Sequence, residues 1–182
     1  SRVAVNHDGD LALLRALDAV DRLVATGGDA CYDDEVREAV VEGRLPAVGY
    51  SWHAPPDREK LLEAAPDLVV LRVAELQHAE GLKELRRLGM TAIPSLPWAE
   101  PDYMGQAEWV RYLSLFLGEE AAAEEFLGAV AARVETLRSL VRDREAVPTL
   151  WAYYAGNDSW SANVATLRAR LLEDAGGRNV LA

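Results

Sequence analysis

Cysteine is all but absent. Cys31 stands alone, so no intrachain disulfide can form and there is no CxxC metal site. No segment approaches the ~18 consecutive apolar residues of a membrane-spanning helix. Positive charge is scarce as well: 19 Lys and Arg against 30 Asp and Glu leave a net charge of −11. Phosphate binding needs a basic surface, so this charge speaks against nucleic acid as a partner. It speaks equally against docking on anionic lipid, and its plain use is solubility. There is no G-x-S-x-G elbow, P-loop or G-x-G-x-x-G. Cys31 has no histidine at a supporting spacing, and no pair of acids stands out. The chain therefore reads as a binding protein rather than an enzyme, with no cofactor and no resident metal. No leader precedes the first strand, which begins almost at Ser1; a signal peptide removed earlier fits that start. No repeat of fixed period and no low-complexity segment is present.

What remains is ordinary globular material. Half of the 182 residues are apolar and 27% are charged, enough for a sizeable core in one domain or two small lobes. The stretch "DREKLLEAAPDLVVL", residues 57–71, shows the plan most clearly. Asp57 can cap a helix, and Leu61, Leu62 and Ala65 share one helical face. Pro66 stops that helix. Leu68 to Leu71 then has the unbroken aliphatic character of a strand buried on both faces. Strands are predicted at 2–5, 20–25, 46–50, 68–72 and 91–93. Helices are predicted at 10–17, 33–41, 57–65 and 79–88, the last with Leu82, Leu85 and Leu88 on one side and Gly89 at its end. This alternation predicts a Rossmann-like α/β lobe with a mostly parallel sheet over residues 1–100.

From 101 to 146 the pattern is helical. Residues 101–117 form one helix, closed by Gly118. Residues 119–145 form a second, long one, with Phe126, Val130, Val134, Leu137 and Val141 as its apolar stripe. A strand over 149–154 and a helix over 167–175 then open a second α/β segment, 147–182. One strand and one helix make no independent sheet, so this segment reads as the start of a lobe.

Four motifs in order carry a resemblance: "ACYDDEV" at 30–36, "LPAVGY" at 45–50, the 57–69 block with its Ala65-Pro66-Asp67-Leu68-Val69, and "EDAGGRNVLA" at 173–182. Together they resemble the periplasmic substrate-binding proteins that serve ABC importers for ferric siderophores, haem and cobalamin, in which a rigid helix joins two lobes. The resemblance implies an extracytoplasmic protein, periplasmic or lipid-anchored at the cell surface. It would be a monomer that captures a metal chelate or macrocycle and delivers it to a permease and ATPase. Ferric siderophore is the first choice of cargo; a corrinoid or haem is the alternative, as is a ligand-sensing domain of the same fold. The family's second lobe continues well past the Ala-Gly-Gly motif, which implies a longer gene product. The family also has Leu-Gly after the first helix, where this chain has Leu17-Asp18.

In open α/β sheets ligands sit beyond the carboxyl ends of the strands. The loops there supply Asn6, His7 and Asp8, then Asp29 to Tyr32, then Tyr50, Ser51, Trp52 and His53, then Arg72 and Glu75, then Ser95 and Trp98. The second segment adds Tyr153, Tyr154, Asn157 and Trp160. Tyr32, Tyr50, Trp52, His53, Arg72, Trp98, Tyr154 and Trp160 are the candidate ligand-binding set, an aromatic group with few polar heads that suits a large flat ligand. Each has a plainer alternative. Trp52 could pack between lobes, and His7 and His53 could simply be solvated. Arg72 could clamp a carboxylate or catecholate oxygen, or pair with Glu75 or Asp8. Trp98 could lid its lobe, and one of Tyr153 and Tyr154 should face the core. By resemblance, Glu59 in the first turn of its helix would dock on a permease arginine; its plain role is a carboxylate near a helix N-terminus.

Overall fold

A computed structural model describes residues 1–50, 55–74, 76–162, 164 and 166–181. Four parallel strands form the main sheet: β1 (Val3–Val5), β2 (Leu23–Ala25), β3 (Leu68–Arg72) and β4 (Ala92–Ser95), in the order β2-β1-β3-β4. Helices α1 (Asp8–Ala16), α2 (Asp34–Val41), α3 (Arg58–Ala64) and α4 (Leu76–Arg87) alternate with them. Then come α5 (Tyr103–Leu117) and α6 (Glu120–Val141). The α/β class read from the sequence is the one observed.

Strand alternation sorts the core into two layers. Val3, Val5, Val70 and Ile93 pack with Leu11 and Leu14 of α1, Val110 and Leu113 of α5 and Leu127 of α6. Ala4, Val69, Leu71 and Ala92 face the other way, onto Leu61 of α3 and Leu82 and Leu85 of α4. Successive side chains of a strand point to opposite faces, so β1 and β3 are buried on both, which is why they read as unbroken aliphatic runs.

The 57–71 stretch folds as its chemistry dictates. The Asp57 carboxylate accepts from the Glu59 and Lys60 amides, and Ala65 closes α3 in the left-handed region at φ 44°. β3 then pairs with β1 on one side and β4 on the other. Pro94 lies inside β4, an edge strand, where a missing N–H is tolerated.

Three predicted elements differ. Val20–Arg22 is a 3-10 turn, so the strand there is only Leu23–Ala25. Residues 46–50 form no ladder beyond one parallel bridge, Thr26 to Ala47. Val48 and Gly49 do hydrogen-bond the 26–27 carbonyls, but Gly49 turns at φ 93°, a conformation that ends an extended run. The strand expected at 149–154 is two strands in different sheets, β5 (Val147–Thr149) and β6 (Ala152–Gly156).

α6 has 22 residues, about 33 Å at 1.5 Å per residue. Ala123 and Leu127 near its start are buried, while Leu137 and Leu140 near its end are about half exposed or more. Of the predicted stripe, Phe126, Val130, Val134 and Val141 are half-buried and Leu137 is exposed. Beyond α6, β5 pairs in parallel with β8 (Gly177–Asn179), with α7 (Leu167–Asp174) between them in sequence. A hairpin of β6 and β7 (Ser159–Ala162) turns through Asn157 and Asp158, both at positive φ, the geometry of a tight two-residue hairpin. Tyr153 and Tyr154 are both more than half exposed, which corrects the expectation that one of them is core.

Candidate ligand-binding site at the carboxyl edge of the sheet

The strand order reverses at β1, whose neighbours are β2 and β3. The crevice beyond the carboxyl ends of β1 and β3 is where such sheets bind ligands. A polar cluster fills it. Asn6, 2% exposed, accepts the Arg72 backbone N–H on Oδ1 at 3.1 Å. His7 caps α1, its Nδ1 accepting the Gly9 amide at 2.9 Å. The Arg72 guanidinium lies against the same imidazole ring, near both nitrogens. Burial, and then the charge of Arg72, lower the His7 pKa to about 4, so the ring is neutral at pH 7. Burial lowers that of Arg72 as well, though an arginine keeps its charge.

Beneath them lies Asp10, 2% exposed. The Ser95 hydroxyl at the end of β4 donates to its Oδ1. Burial outweighs that bond and the Arg72 charge and raises the Asp10 pKa to about 7. Asp10 Oδ2 and Asn6 Nδ2 are buried without a hydrogen-bond partner among the described residues. Sequence reasoning missed Asp10. Its signal is position: Asp10, Leu14 and Leu17 fall at i, i+4 and i+7, so a carboxylate sits in the apolar face of α1.

Aromatic groups lie on the neighbouring loops. Tyr50 donates from its hydroxyl to the Gly28 carbonyl at 3.1 Å. Its ring lies so close to Gly27 that an added Cβ would be 2.5 Å from Cδ1. Burial, with Asp8 and other acidic neighbours, pushes the Tyr50 phenol up to about 12. Trp98 donates from Nε1 to the Val73 carbonyl at 2.8 Å and is 46% exposed, so it covers the end of β3 with one face in solvent. Tyr32 is 96% exposed and borders a hollow of about 440 Å³ with Asp8, Leu11, Ala12 and Arg15. The structure thus brings Arg72 and Trp98 to the ends of β3 and β4, with Tyr50 and Tyr32 on the side of β1 and β2. Tyr154 and Trp160 lie apart on the hairpin of the second segment, stacked edge-to-face at 5.6 Å. Trp52, His53 and Glu75 lie outside the described residues. Glu59 is exposed at the start of α3, with its amide bound to Asp57.

No family model matches the chain. An archaeal relative, "Uncharacterized lipoprotein MJ0878" of Methanocaldococcus jannaschii, is 21% identical over 171 residues, which cover 90% of this chain and 40% of the relative. Among solved structures, the periplasmic haem-binding protein RhuT of Roseiflexus sp. RS-1 superposes with a TM-score of 0.74 at 22% identity, over 98% of this chain and 65% of RhuT. The chain has the fold of the periplasmic haem- and siderophore-binding proteins. BauB, a siderophore-binding protein solved with ferric iron and two molecules of acinetobactin, matches with a TM-score of 0.72 at 16% identity, over all of this chain and 62% of BauB. The chain therefore spans just under two thirds of these structures and two fifths of the archaeal lipoprotein. No described helix is long and apolar enough to cross a membrane.

Proposed function

We propose that this chain is the solute-binding part of an ABC importer, working outside the cytoplasmic membrane, and that it captures an iron chelate without chemical change and hands it to a permease. The observation that carries this is the Asn6–His7–Arg72 cluster, at the crevice that the fold reserves for ligands, with Tyr32, Tyr50 and Trp98 on neighbouring loops. A guanidinium with stacking rings around it suits a large flat ligand with anionic oxygens at its edge. The division into a lobe over 1–100, a helical link over 101–146 and a second lobe from 147 belongs to the same proposal. So does a contribution from Tyr154 and Trp160 across the cleft. Glu59, exposed and outside every ion pair formed among the described residues, is the docking carboxylate for the permease.

Ferric siderophore and haem both satisfy this chemistry. Tyr32 favours haem. A phenol oxygen can ligate haem iron, and a tyrosine almost wholly in solvent beside a hollow is placed to meet one. The test is to titrate the full-length protein and its Tyr32→Phe variant with haemin and with a ferric catecholate, following absorbance. A haemin spectrum that shifts in Tyr32→Phe supports haem with a tyrosine ligand. Saturable binding of the catecholate alone supports a siderophore. No saturable binding of either would remove the proposal.

A further inference from the structure

Asp10 is the group in the cluster that iron-chelate capture does not explain. A bare carboxyl buried at the end of the sheet is costly unless it is neutral or partnered. It has one hydrogen bond, from Ser95, and one oxygen with none. Its place ties it to Arg72. Ser95 is the β4 residue paired with Arg72 of β3, and Asn6, one turn before Asp10, holds the Arg72 amide. The surroundings, among the described residues, are few. Arg72 comes from β3, and His7 from the loop after β1 with its ring against Arg72. Asp8 shares the first turn of α1. β4 brings the Ser95 hydroxyl. From α5 and α6, Val110, Leu113, Ala123 and Leu127 in the shared core are apolar. Among the described residues, Arg72 is thus the one cation whose charge acts on Asp10.

We propose that Asp10 is a positioning residue for Arg72 that takes up a proton when an anionic group docks on the guanidinium. While Asp10 is ionised, it shares the Arg72 charge and weakens its hold on an outside anion. Once it is protonated, the full charge faces the crevice. Linkage makes the effect reciprocal: the bound anion drives proton uptake, and a lower pH tightens binding. A carboxyl that titrates near neutral pH is suited to this, while His7 stays neutral throughout that range. The inference rests on the reading of this crevice as an anion-binding site.

The test uses the full-length protein with carboxyl carbons labelled for NMR. The Asp10 titration midpoint is followed alone, with sulfate as a minimal anion, and with haemin. It should lie near neutrality, rise with either anion, and rise in Arg72→Gln without any ligand. Haemin affinity should tighten about fivefold or more from pH 8 to pH 6, and Asp10→Asn should lose that slope while still binding. A midpoint below 5, a midpoint that neither anion moves, no response to Arg72→Gln, or an unchanged pH slope in Asp10→Asn would each overturn the proposal. If sulfate moves the midpoint and neither haemin nor the ferric catecholate binds, the proton linkage stands and the iron-chelate reading falls.

Discussion

Asn6 Oδ1 accepts the Arg72 backbone N–H at 3.1 Å, joining the carboxyl ends of β1 and β3 at the point where the sheet reverses its order. Asn6→Ala removes the acceptor and leaves a part-buried N–H unpaired. The expected cost is about 1–3 kcal/mol of folding stability, read from urea unfolding, with weaker ligand binding alongside. Unchanged stability would mean that another group takes over the amide.

The pH dependence of stability follows from two shifted groups of opposite sign. His7 has its pKa lowered from 6.5 to about 4. The unfolded chain then binds more protons between those values, so its contribution to stability is full above 6.5 and is lost as pH falls towards 4. Asp10 has its pKa raised from 3.8 to about 7. The folded chain binds more protons there, so its contribution is full below about 4 and is lost as pH rises through 7. The two oppose each other between pH 4 and 6.5. Asp10→Asn should leave the His7 effect, a rise in stability over that window. His7→Asn, which keeps a capping acceptor, should leave the Asp10 effect, a fall continuing to about pH 8. Thermal unfolding from pH 4 to 8 reads both, and parallel curves for the two variants would contradict the assignment.

Asp18 ends α1 in the left-handed region at φ 52°, with its amide bonded to the Arg15 carbonyl and that of Ala19 to Leu14. This is the closure that usually takes glycine, at the position where the family resembled has Leu-Gly. The left-handed penalty is about 1–2 kcal/mol for a residue with a Cβ. Glycine offsets about 0.4–1 kcal/mol of that gain through unfolded-state entropy. Asp18→Gly should therefore stabilise the protein by about 0.5–1 kcal/mol in equilibrium denaturation. A loss of stability would show that the Asp18 side chain holds something of its own.

Much of the fold was legible in residues 57–71, because capping, a proline stop and a doubly buried strand are local effects. The same holds for the helices closed by Gly89 and Gly118. The segment at 46–50 misled, because Val48 and Tyr50 have strand character while Gly49 bends the backbone out of it. Tyr153 and Tyr154 misled for a tertiary reason: alternation on a strand promises one buried face only when something packs on it, and β6 pairs with β7 alone. The loops singled out after the strands lie at the sheet's carboxyl edge, where the candidate site is built. Asp10 stayed hidden because its partner, Ser95, is 85 residues away in sequence.

A network of polar side chains ties the second segment to the helices. Arg138 of α6 donates to the Asp174 carboxylate at the end of α7 at 2.7 Å, and the Tyr103 hydroxyl of α5 donates to the same oxygen at 2.6 Å. The Arg138 bond is the main reason that the Asp174 carboxyl is held below its ordinary range. Asp174→Asn should loosen this tie and speed amide exchange in α7 and β8, while β1 and β3 keep their protection. Equal change in both regions, or none, would show that the network does not hold the segment.

On the proposed function, Arg72 receives an anionic iron chelate at the switch point of the sheet. The most direct measurement is the affinity of the full-length protein and its Arg72→Gln variant for haemin and for a ferric catecholate, by absorbance and tryptophan quenching with inner-filter controls. The account predicts saturable binding of one of the two, weakened at least tenfold in Arg72→Gln with the thermal transition retained. Equal affinity in the two proteins, or no saturable binding of either chelate, would contradict it.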